Sequence, residues 1–242
     1  MANIALFHSV LGVRPGITEA AQRLRTAGHV VHVVDQYDGK VFDDYEAAGE
    51  LAASIGYPAL MQRALEAVAD LPDGFIAMGF SNGGGMAEFV GTQRACSGVV
   101  MASGALPLEM IGVTAWPAGV PAQIHYAVGD PMRRQDWVDA VLASVREAGA
   151  GADSFEYPGH GHLFTDPSLP EEYDEHSAEL FWDRVLDFCD ATSRRAERSD
   201  TGSVRRPLMG ASPWSDSNPH RSGRFPPGAR RHHSPDRANC TF

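Results

Sequence analysis

Gly79-Phe80-Ser81-Asn82-Gly83 sets a serine between two glycines, with the apolar run Gly74–Met78 before it and a helical pattern from Gly83 onward. G-x-S-x-G at a strand-to-helix corner is the pattern of a nucleophile elbow. A serine there sits in a strained turn that projects Oγ away from the sheet. Glycines on either side let strand and helix approach closely. The helix starting beneath it leaves free N–H groups, which favour negative charge at the same spot. The chemistry implied is attack on a carbonyl, with the N–H of Asn82 as one donor to the oxyanion. Two plainer uses of these residues are a serine that only caps the helix and a glycine loop that cradles phosphate. The second lacks both G-K-[ST] and G-x-G-x-x-G.

A serine hydroxyl needs a base within hydrogen-bond reach. Tyr157-Pro158-Gly159-His160-Gly161-His162-Leu163-Phe164 follows a strand pattern at Ser154–Tyr157 and offers two histidines. His162 precedes an apolar pair that can anchor the loop while the ring faces a site. His160 lies between glycines. A His-x-His metal pair is a rival reading, but no acidic or cysteine cluster accompanies it. The carboxylate that orients the base should lie between serine and histidine in chain order. Asp130, in Val128-Gly129-Asp130-Pro131, stands just past a strand pattern at Ala122–Ala127. It can also simply open a turn before Pro131. Asp136, Asp153 and Asp166 are other candidates. A second oxyanion donor is expected from the loop after the first strand, with Val10 N–H as the candidate. His8, Ser9, Phe80, Trp116 and Phe164 are candidates to line the substrate pocket. An imidazole base makes activity rise as it loses its proton.

These groups need a scaffold with loops at strand ends. Strand patterns at Asn3–Phe7, His29–Val34, Gly74–Met78, Ser97–Ala102, Ala122–Ala127 and Ser154–Tyr157 alternate with helical ones. The helices are expected over Gly16–Ala27, Tyr45–Ala53, Pro58–Ala69, Gly83–Val90, Asp136–Glu147 and Glu175–Cys189. The alternation predicts an α/β fold: a mostly parallel sheet of about six strands with helices on both faces.

The chain has 242 residues, enough for one domain with a real core, and a net charge of −11. Residues 1–192 hold 10 Lys and Arg against 27 Asp and Glu, whereas 193–242 hold 10 Arg against 4 acids. The acidic part argues against nucleic acid as a partner. From Ser193 the composition turns to Arg, Ser, Pro and Gly without apolar periodicity. That predicts a domain over 1–192 and a disordered tail over 193–242. The tail reads either as an Arg-rich tether or as an extension without function. The three cysteines, Cys96, Cys189 and Cys240, are too scattered for a disulfide scaffold or a zinc site. No segment reads as a membrane span or a secretory signal, so the cytoplasm is the expected location.

The same residues resemble the dienelactone hydrolase family of α/β-hydrolases across roughly residues 3–190. Leu11-Gly12-Val13 is similar to the family's first loop, and Val34-Asp35-Gln36-Tyr37-Asp38-Gly39 resembles P-D-L-Y-x-G. The elbow matches through Gly84, and the 157–164 segment resembles Y-P-G-x-x-H-x-F, which favours His162 over His160. The resemblance implies a compact α/β-hydrolase with Ser81, Asp130 and His162 as a catalytic triad. No metal or cofactor is implied. It departs from the family in having Ser81 where the namesake enzymes carry Cys. Ser9 stands where they carry Glu, and Asp166 where a substrate-binding Arg is expected. The expected substrate is therefore a small uncharged ester or lactone, handled by a monomer or homodimer. Thioesterase, amidase or acyltransferase chemistry, or binding without catalysis, are the alternatives.

Overall fold

The computed structural model describes residues 1–202, with side chains as far as Arg195. The elements in order are β1 (Asn3–Phe7), α1 (Pro15–Thr26), β2 (Val30–Val34), α2 (Tyr45–Ile55), α3 (Tyr57–Ala67), β3 (Phe75–Phe80) and α4 (Asn82–Gln93). Then come β4 (Cys96–Ala102), a 3-10 turn (Leu108–Ile111), β5 (Ala122–Ala127), α5 (Gln135–Glu147), β6 (Ala152–Tyr157) and α6 (Glu175–Gly202). The six strands form one parallel sheet in the order β2-β1-β3-β4-β5-β6.

Alternation along the inner strands divides the core between the two faces. Ala5, Phe7, Phe75, Ala77, Val99 and Met101 pack with residues of α3, α4 and α5. Ile4, Leu6, Ile76, Met78, Val100 and Ala102 pack with α1 and α6. Both faces of β1, β3 and β4 are covered, which is why these strands read as unbroken apolar runs. Proline sits in the first turn of α1 and of α3, where a missing N–H costs nothing. Asp44 caps α2 by accepting from the Ala47 N–H.

Two of the boundaries that differ from the sequence expectation bear on the site and on the domain limit. β3 runs on through Gly79 and Phe80, directly up to the serine. α6 does not stop at Cys189 but continues to Gly202, so the compositional break at 192/193 falls inside a helix. Thr192 and Ser193 are buried, and Ser193 Oγ donates to the Cys189 carbonyl at 2.8 Å. The chain therefore still has something to pack against after the apolar pattern fades. The reading of the tail as disordered lies, from residue 203 on, outside the described residues.

In this strand order the chain leaves β1 in one direction for β2 and returns to add β3 on the other side. The crevice between the β1 and β3 ends is the place where such sheets bind ligands. The loops carrying Val10, Ser81, Asp130 and His162 all leave the carboxyl ends of strands.

Candidate active site

Ser81 follows β3 with φ 53° and ψ −120°, a left-handed backbone that a residue with a Cβ rarely adopts. The turn is this sharp because strand and helix touch. A Cβ on Gly79 would lie 1.9 Å from the Gly83 carbonyl oxygen. The Ser81 side chain makes no capping hydrogen bond to α4. Its Oγ lies 2.7 Å from Nε2 of His162 instead.

His162 leaves the loop after β6 and is almost fully buried. Its Nδ1 lies 2.8 and 3.0 Å from the two carboxylate oxygens of Asp130. A carboxylate only accepts, so Nδ1 carries the proton, and Nε2 is left to accept from the serine hydroxyl. Asp130, in the loop after β5, has a fully buried side chain. Its Oδ1 also accepts from the Met132 N–H at 2.8 Å, so this aspartate both opens the turn and meets the histidine. Leu163 and Phe164 are buried and anchor the loop. His160 is exposed, as are Asp136 and Asp153. Asp166 is buried but binds Ser168 rather than the histidine.

The two candidate oxyanion donors flank the crevice. In the loop after β1, Leu11 N–H donates to Ser9 Oγ at 3.2 Å and Gly12 N–H to the Ser9 carbonyl at 3.1 Å. Among the described residues, neither Val10 N–H nor Asn82 N–H has an acceptor. For Asn82 this follows from its place in the first turn of α4.

Three of the pocket candidates are engaged in internal contacts. His8 is completely buried. Its Nδ1 donates to the Ser9 carbonyl at 2.6 Å and its Nε2 accepts from the Gln36 N–H at 3.0 Å. Burial lowers its pKa, so a neutral ring ties the β1 end to the β2 end. Trp116 is buried in the core with its indole N–H on the Val120 carbonyl at 2.8 Å. Phe164 packs on Tyr157, ring centroids 4.9 Å apart, in the aromatic cluster around Phe181. Ser9 and Phe80 are buried too. They line a cavity of about 10 Å³ against α1 and α6, room for one water at most.

Ser103 was not singled out by its sequence. It directly follows β4 with φ 54°, and its hydroxyl donates to the His162 carbonyl at 2.7 Å. The next residue packs on Ser81 itself: a Cβ on Gly104 would stand 1.9 Å from the Ser81 carbonyl oxygen. A second non-glycine residue in the left-handed region beside Ser81 is the only signal here, and it is invisible without coordinates. No cluster of three or more His, Cys, Asp or Glu suited to a metal occurs among the described residues. None of their helices is long and apolar enough to cross a membrane.

The sequence profile of the dienelactone hydrolase family matches residues 2–193. The chain belongs to this family. As a dienelactone hydrolase family member it is a hydrolase of the α/β-hydrolase fold, and solved structures agree on that fold. The structure titled m3DLH is 21% identical with a TM-score of 0.65, covering 79% of this chain and 86% of its own. The dienelactone hydrolase-like promiscuous phosphotriesterase P91 from metagenomic libraries is 20% identical with a TM-score of 0.64, covering 79% and 87%. Esterase PE8 is 16% identical with a TM-score of 0.53, covering 79% and 92%. No curated protein matches this family member significantly.

Proposed function

We propose that this family member is a serine hydrolase that cleaves uncharged carboxylic esters or lactones through an acyl-enzyme. One observation carries the reading: Ser81 Oγ lies 2.7 Å from His162 Nε2 while Nδ1 of the same ring faces the Asp130 carboxylate. In the first step Ser81 Oγ attacks the carbonyl carbon as Nε2 takes the hydroxyl proton. Asp130 holds the ring in the required tautomer and stabilises the imidazolium. The tetrahedral oxyanion is received by the N–H groups of Val10 and Asn82. One such donor contributes about 3 kcal/mol to transition-state stabilisation. The imidazolium then protonates the leaving alkoxide, and water activated by Nε2 releases the acid. With a lactone, the alkoxide remains part of the product.

The choice of an uncharged substrate rests on the charges around the site. Arg14 is buried, and its guanidinium is taken up by the Phe42 carbonyl, Asp43 and Ser168. Asp166 is also buried beside that cluster, with Arg14 Nε at 3.9 Å. No guanidinium is thereby offered to a substrate carboxylate from this loop, and acidic side chains repel one. One structural relative is an esterase, which agrees with ester cleavage, and another is a phosphotriesterase, which agrees with attack on neutral esters. The reading assigns catalysis to residues 1–192 and none to 193–242. Matched pairs of neutral and carboxylate-bearing aryl esters test the substrate class. Higher kcat/KM on the neutral member is expected, and a clear preference for the anion overturns it.

A further inference from the structure

We propose that Glu172 is a positioning residue for His162, acting through the peptide that follows the imidazole and through the ring of Tyr45. The inference rests on the hydrolase mechanism above and goes beyond it, because Glu172 stands in neither the triad nor the oxyanion site.

Glu172 Oε2 accepts from the Leu163 N–H at 2.6 Å, and Oε1 accepts from the Tyr45 hydroxyl at 2.8 Å. The Leu163 N–H and the His162 carbonyl belong to one peptide unit. That carbonyl is already held by Ser103 Oγ at 2.7 Å. The unit is thus gripped at its oxygen from β4 and at its nitrogen from the 169–174 segment, which fixes the backbone torsion from which the imidazole hangs. Tyr45, at the start of α2, packs its ring edge-on to His162 with centroids 6.2 Å apart and planes at 66°. Burial and the Glu172 carboxylate keep its phenol protonated, so the hydroxyl donates.

The 169–174 segment is pressed onto the histidine loop independently of that side chain. A Cβ on Gly161 would lie 1.9 Å from the Glu172 carbonyl oxygen, and Asp174 N–H donates to the Phe164 carbonyl at 3.0 Å. Asp130 restrains only Nδ1 of the ring. Rotation about the His162 side-chain torsions and backbone would still swing Nε2 off the serine. Glu172 opposes that motion on both counts, through the backbone and through the packed phenol. A displacement of about 1 Å in such a pair costs up to about 100-fold in rate.

Full-length wild type, Glu172→Ala, Glu172→Gln and Tyr45→Phe are compared on a neutral aryl ester, with kcat referred to active sites titrated by a fluorophosphonate. Glu172→Ala is expected to lower kcat per titrated site about 10- to 100-fold with KM within about threefold, and to slow fluorophosphonate labelling by the same factor. Glu172→Gln can still accept from Leu163 N–H and donate to the Tyr45 oxygen, so it recovers most of the rate. Tyr45→Phe keeps the ring, loses the hydroxyl, and falls between the two. Glu172→Ala within twofold of wild type per titrated site, or Glu172→Gln as slow as Glu172→Ala, overturns the proposal. If Glu172→Ala does not fold, Tyr45→Phe decides: a several-fold lower kcat supports the proposal, and a wild-type kcat overturns it. Wild type that neither turns over nor labels at Ser81 removes the hydrolase reading itself. Labelled wild type with an indifferent Glu172→Ala removes only the positioning role.

Discussion

The hydroxyl of Ser103 and the carbonyl of His162 are joined by a 2.7 Å hydrogen bond across 59 positions of sequence. The donor directly follows β4 and the acceptor belongs to the loop after β6, with β5 between these strands in the sheet. One bond thus spans β5, the strand whose following loop carries Asp130. Ser103→Ala removes the donor and leaves a buried carbonyl short of a partner, a loss of about 1–3 kcal/mol. We expect kcat to fall about 10-fold with KM nearly unchanged, measured by steady-state ester hydrolysis. An unchanged kcat would show that the loop holds its place without Ser103.

Ser81, His162 and Asp130 form one chain of hydrogen bonds, so their contributions should not add. Ser81→Ala and His162→Ala are each expected to reduce kcat by about 10³- to 10⁶-fold, and the double variant should be no slower than the worse single one. Circular dichroism should remain that of the wild type. Additive losses in the double variant would mean that the two side chains act separately.

Glu88 lies wholly inside the protein on α4, the helix that begins at the serine. Its Oε2 accepts from the Leu106 N–H at 2.9 Å, and its Oε1 has no partner among the described residues. Burial pushes its pKa up from 4.5 to about 8. In that window the folded protein holds a proton that the unfolded chain has released. The folded form therefore loses stability as pH rises from 4.5 to about 8. Glu88→Gln cannot ionise, so its melting temperature relative to wild type should climb between pH 5 and pH 8. Thermal melts at the two pH values check this; an equal difference at both would contradict it.

The scaffold was legible where physics is local. β1 and β5 lie where short apolar runs placed them, and the six strands are parallel, as strands alternating with helices require. That Ser81, Asp130 and His162 come within hydrogen-bond distance could be anticipated because each sits just past a strand and in a distinctive neighbourhood: a G-x-S-x-G corner, an Asp-Pro turn, a Gly-His-Gly-His loop. The supporting contacts could not. Tyr45 and Glu172 are 127 positions apart and meet only because the start of α2 and the 169–174 segment fold over the same histidine. The internal contacts of His8 were hidden for a related reason. A histidine at a strand end looks available to substrate until the Gln36 N–H, 28 positions away, claims its Nε2. Trp116 and Phe164 went to the core because large rings gain more from burial than from lining an open cleft. The end of α6 was set too early because composition does not register that Thr192 and Ser193 still find cover.

The reactivity of Ser81 is the claim beneath all the others. Treating the full chain with a fluorophosphonate and sequencing the modified peptide by mass spectrometry measures it directly. One label per chain is expected, on Ser81, that disappears in Ser81→Ala and is strongly slowed in His162→Ala. Absence of the label from wild type, or its placement on another residue, would contradict it.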